Sequence, residues 1–181
     1  MRRQTNSWPI AFCGIVAGLC VAVMLGGSVL PLATFCAPAL SGALLVPVLI
    51  ECGARAAWLT WLAVSLICVL TVPDPEMAFA FLFLLGYYPL LKVRLDRIRP
   101  AVLRWGVKLA VWNGAIAAMY GTLTQLFRLA YIIEELRAYQ SWMLAALLVL
   151  GNLTLWIYDR ALVSVARLYL VRIRPLLPRR R

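Results

Sequence analysis

Residues 4–50 read QTNSWPIAFCGIVAGLCVAVMLGGSVLPLATFCAPALSGALLVPVLI and contain no charged side chain. A single helix of this length would extend about 70 Å at the helical rise of about 1.5 Å per residue, whereas the hydrocarbon core of a bilayer is about 30 Å thick. The stretch must therefore fold back on itself. Pro31 and Pro38 are the expected limits of the turn, because proline is disfavoured inside helices. Residues 4–50 thus predict two membrane-spanning helices joined by a short connection.

The composition of the whole chain also indicates a membrane protein. Of its 181 residues, 64% are apolar and 14% are charged, whereas soluble domains average about 45–50% and about 25%. The uncharged stretches predict six spans, at residues 8–30, 38–50, 56–72, 77–91, 109–127 and 138–158. At about 20 residues each, these spans use most of the chain. We therefore expect an all-α bundle of six transmembrane helices that forms a single domain over residues 1–181.

The basic residues predict the orientation of this bundle. The formal net charge is +11, with 18 Lys and Arg against 7 Asp and Glu. With six spans, 16 of the 18 basic residues fall on the side of both termini, and Arg128 and Arg137 fall on the other side. Since cytoplasmic loops are enriched in Lys and Arg, we expect both termini in the cytoplasm of a bacterial inner membrane and an uncleaved first span. Basic residues placed beside apolar segments also argue against nucleic acid as the partner.

Two basic segments lie between and after the predicted spans. Residues 92–108 carry six Lys and Arg, and in the tail Arg160, Arg167 and Arg174 recur every seven residues. Apolar residues separate these charges, as in segments that lie at the membrane interface. We expect residues 92–108 and 160–181 to contact anionic lipid headgroups, with a protein partner as the alternative.

The residue inventory excludes most enzymes. The chain has no His, which removes His-based acid–base and nucleophile dyads, and it has no Gly-rich phosphate loop. The predicted cytoplasmic acids Glu51, Asp96 and Asp159 are expected to be isolated from one another. The five Cys form no CxxC pair and are expected to be small buried hydrophobes, with a metal, disulfide or redox role as the alternative. We expect no enzyme activity, no cofactor and no metal site.

Small residues recur every four positions in two predicted spans. The first ladder is Gly14, Gly18, Ala22 and Gly26, and the second, in the fifth span, is Ala110, Gly114, Ala118 and Thr122. Small residues at this spacing let helix backbones approach closely in lipid. The ladders predict either packing of the first and fifth spans within the chain or docking of the first span on a separate membrane subunit.

Polar side chains inside the spans are few. They are Asn113, Thr122, Thr124, Gln125, Asn152 and Thr154. Because such groups are costly in lipid, they usually face the protein interior, and we expect them to form hydrogen bonds between helices.

The outer connections carry acids and aromatic residues that predict a solute site. The acids are Asp74, Glu76, Glu134 and Glu135, and the aromatic residues are Tyr131, Tyr139 and Trp142. An excess of acid favours a cationic or amine-bearing small organic solute, and the aromatic rings would attract a cation. The alternative is a solvated loop beside an interfacial aromatic belt.

One set of motifs resembles a known family. Glu51-Cys-Gly-Ala-Arg55, Pro73-Asp74 and Gly86-Tyr87-Tyr88-Pro89 occur in a chain of 181 residues with six predicted spans and a basic fourth loop. This pattern resembles the substrate-binding S components of energy-coupling factor (ECF) vitamin transporters. The resemblance implies uptake of a vitamin-like solute through the outer loops, energised by a separate ATPase pair. It also implies a transmembrane coupling subunit docked on Gly14, Gly18 and Ala22, where glycine replaces the alanine usual in the family.

A second family of small bacterial membrane proteins is the alternative. The rod-shape-determining membrane subunit of the cell-wall elongation machinery has a similar size and several spans. That resemblance implies a scaffold that binds no solute.

Overall fold

The computed structural model describes residues 7–30, 33–126 and 141–176, and it contains no strand within these ranges. The α-helices in the described ranges are α1 Ser7–Gly27, α2 Cys36–Glu51, α3 Gly53–Thr71, α4 Pro75–Ala80, α5 Tyr88–Leu95, α6 Ala101–Leu126 and α7 Ser141–Leu168. A π-helical turn, Phe81–Leu85, joins α4 to α5, and a second one, Tyr169–Ile173, extends α7. The prediction of an all-α fold is confirmed for these residues.

Four helical stretches are long and apolar enough to cross a membrane. They are Trp8–Gly27, Gly53–Thr71, Pro75–Leu95 and Leu148–Ile173. Helix α2, Cys36–Glu51, is apolar but shorter. The length and composition of these helices indicate a membrane protein.

The helices differ from the predicted spans at three places. The fifth span was expected at residues 109–127, but α6, Ala101–Leu126, is not among these four stretches. The fourth span was expected at residues 77–91 and the sixth at residues 138–158, but the apolar helical stretches there extend to Leu95 and to Ile173. In both cases the helix continues through charged residues that would end a span judged by charge alone. Consequently, residues 92–108 are divided between α5 and α6, and residues 159–168 continue α7.

Helices α1, α2 and α3 share one apolar core. Helix α1 buries Val16, Cys20 and Met24, which recur every four residues and therefore lie on one face of the helix. Against them pack Leu45 of α2 and Val64 of α3. At the end of α1, a Cβ added to Gly27 would collide with the Cβ of Ala37. Glycine thus permits the close approach of α1 and α2.

A second core joins the remaining helices to α2. Its largest members are Phe79, Tyr88, Trp112, Met119 and Tyr158.

The helix ends meet in two groups. At one end, Arg174 contacts Glu51 (3.3 Å, Nε to Oε1) and Lys108 contacts Asp96 (2.7 Å, Nζ to Oδ1); we call it the basic end. At the opposite end, the hydroxyl of Tyr120 donates to Oε1 of Glu76 at 3.1 Å.

Candidate functional site

A buried group of charged side chains lies near the basic end, where α5, α6 and α7 meet. Oδ1 of Asp159 accepts hydrogen bonds from the Tyr88 hydroxyl at 2.7 Å, from Lys92 Nζ at 2.6 Å and from Lys108 Nζ at 2.8 Å. The same two ammonium groups bind Asp96, with 3.1 Å from Lys92 to Oδ2 and 2.7 Å from Lys108 to Oδ1. We call these five residues the lysine–aspartate cluster.

The local sequence explains how three of these residues come together. Tyr88, Lys92 and Asp96 are spaced four apart along α5 and its C-terminal cap, so they lie on one helix face. Lys108 and Asp159 come from α6 and α7. The exposed fractions of Lys92, Lys108 and Asp159 are 8%, 2% and 7%. Because an unpaired charge is costly to bury, two positive and two negative groups in contact make this burial tolerable.

The electrostatics keep Lys108 charged. Burial alone would lower its pKa, but the hydrogen bonds to Asp159 and Asp96 outweigh burial, so the pKa of Lys108 lies above its ordinary value. The ammonium group also lies 5.1 Å from the centre of the Trp105 ring, where a cation is attracted to the face of the ring. Lys108 is therefore positively charged at neutral pH.

The cluster contradicts two sequence-based expectations. Asp96 and Asp159 were expected to be isolated, but they bind the same two lysines. Lys92 and Lys108 were expected among the residues that contact lipid headgroups, but both are buried in ion pairs within the chain. The four-residue spacing of Tyr88, Lys92 and Asp96 was visible in the sequence; the pairing with α7, 51 residues beyond Lys108, was not.

A second polar contact beside the cluster follows from the Gly-Tyr-Tyr-Pro motif. In a regular helix, the carbonyl of Leu85 would accept from the N–H of residue 89, but Pro89 has no N–H. The hydroxyl of Tyr158 donates to the Leu85 oxygen at 2.8 Å instead. A Cβ added to Gly42 of α2 would collide with both of these atoms. Tyr158 of α7 thus supplies the hydrogen bond that Pro89 cannot donate. Gly42 of α2 allows its helix to pack closely against this contact.

The predicted solute-binding residues are only partly described. Asp74 caps α4, where its Oδ1 accepts from the backbone N–H groups of Glu76 at 3.0 Å and Met77 at 3.3 Å. Glu76 accepts from Tyr120. Four further predicted residues lie outside the described ranges: Tyr131, Glu134, Glu135 and Tyr139. The side chain of Trp142, at the start of α7, is not described either.

The small-residue ladder of α1 faces outward. Gly14, Gly18, Ala22 and Gly26 are all exposed. A Cβ added to any of the three glycines would meet no other atom within 4 Å among the described residues. The same holds for Gly114 in the second ladder. Packing of the two ladders against each other within the chain, one of the two expectations, is therefore wrong for the part that the structure describes.

Neither the cysteines nor the acids form a metal site in the described part of the chain, where no group of three or more such ligands occurs. None of the five cysteines, all of which lie in the described ranges, forms a disulfide. Cys20 and Cys68 are fully buried, as expected of small hydrophobes, and the Cys20 thiol donates to the carbonyl of Ser41 at 3.4 Å. Cys36, in contrast, is exposed.

Comparison with known proteins finds no matching family model, no matching curated protein and no similar solved structure. The residues and their geometry are therefore the basis for the proposals below.

Proposed function

We propose that the chain is the solute-binding membrane subunit of an ECF-type transporter, taking up a vitamin-like solute in the inner membrane of a bacterium. The observation that carries this proposal is the outward ladder of small residues on α1. One face of α1 supplies the apolar core with α2 and α3, while the face with Gly14, Gly18, Ala22 and Gly26 remains uncovered among the described residues.

The shape of this face supports docking of another helix. Ile15 and Leu19 follow Gly14 and Gly18 directly and are 71% and 48% exposed. Large side chains beside a row of glycines form a shallow groove along the helix. Close helix contact across small residues stabilises association in lipid, where apolar burial alone does not. The groove therefore fits a helix of a transmembrane coupling subunit, which would connect the chain to its ATPase pair.

The arrangement of the helix ends supports an outer solute site. The hydrogen bond from Tyr120 to Glu76 places the start of α4 beside the end of α6. The two segments expected to hold the solute thus leave the bundle at the same end, opposite the basic end. Six spans with both termini in the cytoplasm would put this end outside, since basic loops remain in the cytoplasm.

The substitution Gly18→Leu tests the docking surface. We expect the variant to fold normally, because nothing in the described structure lies within 4 Å of the added Cβ, but to lose its membrane partner. The measurement is co-purification of a membrane subunit and an ATPase from native membranes, together with the melting temperature. Gly106→Leu is the control, since Gly106 is equally open but lies on α6. A misfolded Gly18→Leu protein, or equal loss of the partner in both variants, contradicts the proposal.

A thermal-shift screen tests the solute site separately. Cationic vitamins and polyamines are added to the detergent-purified protein and to the variant Glu134→Gln/Glu135→Gln. A solute at a hundredfold excess over its Kd stabilises the folded state by about 2.7 kcal/mol, and the variant should respond less. An unchanged melting temperature with every solute, combined with co-purification of wall-synthesis proteins, would instead identify the chain as a scaffold of the elongation machinery.

A further inference from the structure

A cleft at the basic end lies between the start of α3 and the end of α5. It has a volume of about 350 Å³ and is lined by Ala54, Arg55, Trp58, Leu59 and Arg94. The cleft is separate from the lysine–aspartate cluster and from the predicted outer solute site. Its lining combines two guanidinium groups with an indole ring and apolar side chains.

The two arginines of the cleft are not neutralised within the described part of the chain. Arg55 and Arg94 are exposed, and neither forms a salt bridge with a described residue. The acids adjoining them in sequence have other partners: Glu51 contacts Arg174, and Asp96 contacts the two lysines of the cluster. Two like charges on one cleft are complementary to an anion, and guanidinium groups bind phosphate oxygens in bidentate fashion.

An apolar track leads away from the cleft along α3. Leu59, Leu62, Leu66 and Leu70 follow one another at intervals of three and four residues, so they lie on one helix face, and each is more than half exposed. Arg55 lies one helical turn before Leu59 on the same side. A ligand that fits both parts has an anionic head at the arginines and a hydrocarbon tail along the leucines. Trp58 also lines the cleft, and tryptophan is enriched at the membrane–water interface.

We propose that this cleft binds one anionic phospholipid, with its phosphate between Arg55 and Arg94 and an acyl chain along Leu59, Leu62 and Leu66. The inference rests on the membrane location and cytoplasmic basic end of the proposed function, and on no part of the transport role. The site differs from general attraction of basic residues to the membrane surface, because only two of the exposed arginines at this end line the cleft.

Native mass spectrometry of the full-length protein tests the site. The protein in neutral detergent is titrated with phosphatidylglycerol and, in a parallel series, with phosphatidylcholine. We expect one tightly bound phosphatidylglycerol and weaker binding of phosphatidylcholine. The variant Arg55→Gln/Arg94→Gln should lose about tenfold in affinity for phosphatidylglycerol. The matched control Arg97→Gln/Arg99→Gln removes the same charge from exposed residues near the cleft that do not line it, and it should lose less than twofold.

Four outcomes overturn the proposal. Equal loss in both double variants means diffuse attraction by charge, and equal affinity for the two lipids means no recognition of the anionic head. Displacement of the lipid by glycerol phosphate at the same concentration means that a soluble phosphate compound is the ligand. If Arg55→Gln/Arg94→Gln fails to fold, the variant Arg55→Lys/Arg94→Lys replaces it, since lysine keeps the charge and removes the planar donors. Unchanged affinity of that variant for phosphatidylglycerol likewise overturns the proposed site. Loss of the membrane partner in Gly18→Leu would leave each of these outcomes unaffected.

Discussion

Helices α1, α2 and α3 are held together differently from α5, α6 and α7. The first group packs through small and medium apolar side chains such as Val16, Leu45 and Val64, with one reciprocal polar contact between Cys20 and Ser41. The second group meets through the buried ion pairs of the lysine–aspartate cluster and through the hydrogen bond from Tyr158 to Leu85.

The difference lies in the kind of contact, because the apolar stretches of α1 and α7 are buried to the same extent within the described residues. Much of the surface of α7 is exposed and apolar, including Val149, Leu153 and Ile157. In lipid, exposed apolar surface gives no preference for one orientation over another, so the specific position of a helix depends on close packing and on polar contacts. We infer that α7 is positioned by its few polar groups, whereas α1 to α3 are positioned by the shapes of their side chains.

Removal of the Asp159 carboxylate should destabilise the packing of α5, α6 and α7 more than any other change considered. In Asp159→Ala, two buried lysines lose one of the two carboxylates that they share. Breaking a buried ion pair in this way costs about 3–5 kcal/mol. The free energy of unfolding in mixed micelles measures the effect. Glu51→Ala is the matched control, because its partner Arg174 is 56% exposed and exposed pairs contribute about 0–1 kcal/mol.

A compensated variant sharpens this test. Asp159→Leu/Lys92→Met/Lys108→Met removes the three buried charges of the cluster together and leaves Asp96, whose side chain is 40% exposed. Replacement of a buried ionic group by apolar residues is often neutral or stabilising. We expect its stability to lie close to that of the native protein. If the compensated variant is as unstable as Asp159→Ala, then the cluster contributes through its own attraction and the argument from uncompensated charge is wrong.

Tyr158→Phe should have the next largest effect. The change leaves the Leu85 carbonyl without its donor, because Pro89 cannot supply one, and an unsatisfied buried acceptor costs about 1–3 kcal/mol. The same measurement applies, with Tyr87→Phe as control, since Tyr87 is only partly buried and precedes α5. Equal stability of Tyr158→Phe and the native protein would show that the carbonyl finds another donor.

The apolar helices of this fold were predictable, because long uncharged stretches are typical of helices that lie in lipid. The uncharged stretch at residues 4–50 contains the apolar helix Ser7–Gly27 and nearly all of the apolar helix Cys36–Glu51, and Pro73-Asp74-Pro75 marks the start of a new helix as expected. The ends of α5 and α7 were not predictable in this way. Lys92 and Asp159 look like the limits of a span until their partners on other helices are known.

The candidate site was less predictable than the fold for the same reason. The four-residue spacing of Tyr88, Lys92 and Asp96 is the signal that could have revealed their shared face, but contacts between α5 and α7 depend on packing that one sequence does not show. The small-residue ladder of α1 was found by its spacing, yet only the structure shows that its glycines face outward.

The smallest expected effect concerns the contact of Asn113 on α6 with Asn152 on α7. The Asn113 amide donates to Oδ1 of Asn152 at 3.0 Å, whereas Thr122 and Thr154, also expected to bond between helices, donate to carbonyls of their own helices. A double-mutant cycle with Asn113→Ala and Asn152→Ala should give a coupling energy of about 0.6 kcal/mol, the average for hydrogen bonds between membrane helices. Both side chains also bond carbonyls within their own helices, so each single change should cost little. A coupling energy near zero would mean that the lysine–aspartate cluster and Tyr158 position α7 without the asparagine pair, and one above about 2 kcal/mol would mean that the pair is buried against lipid more completely than the structure shows.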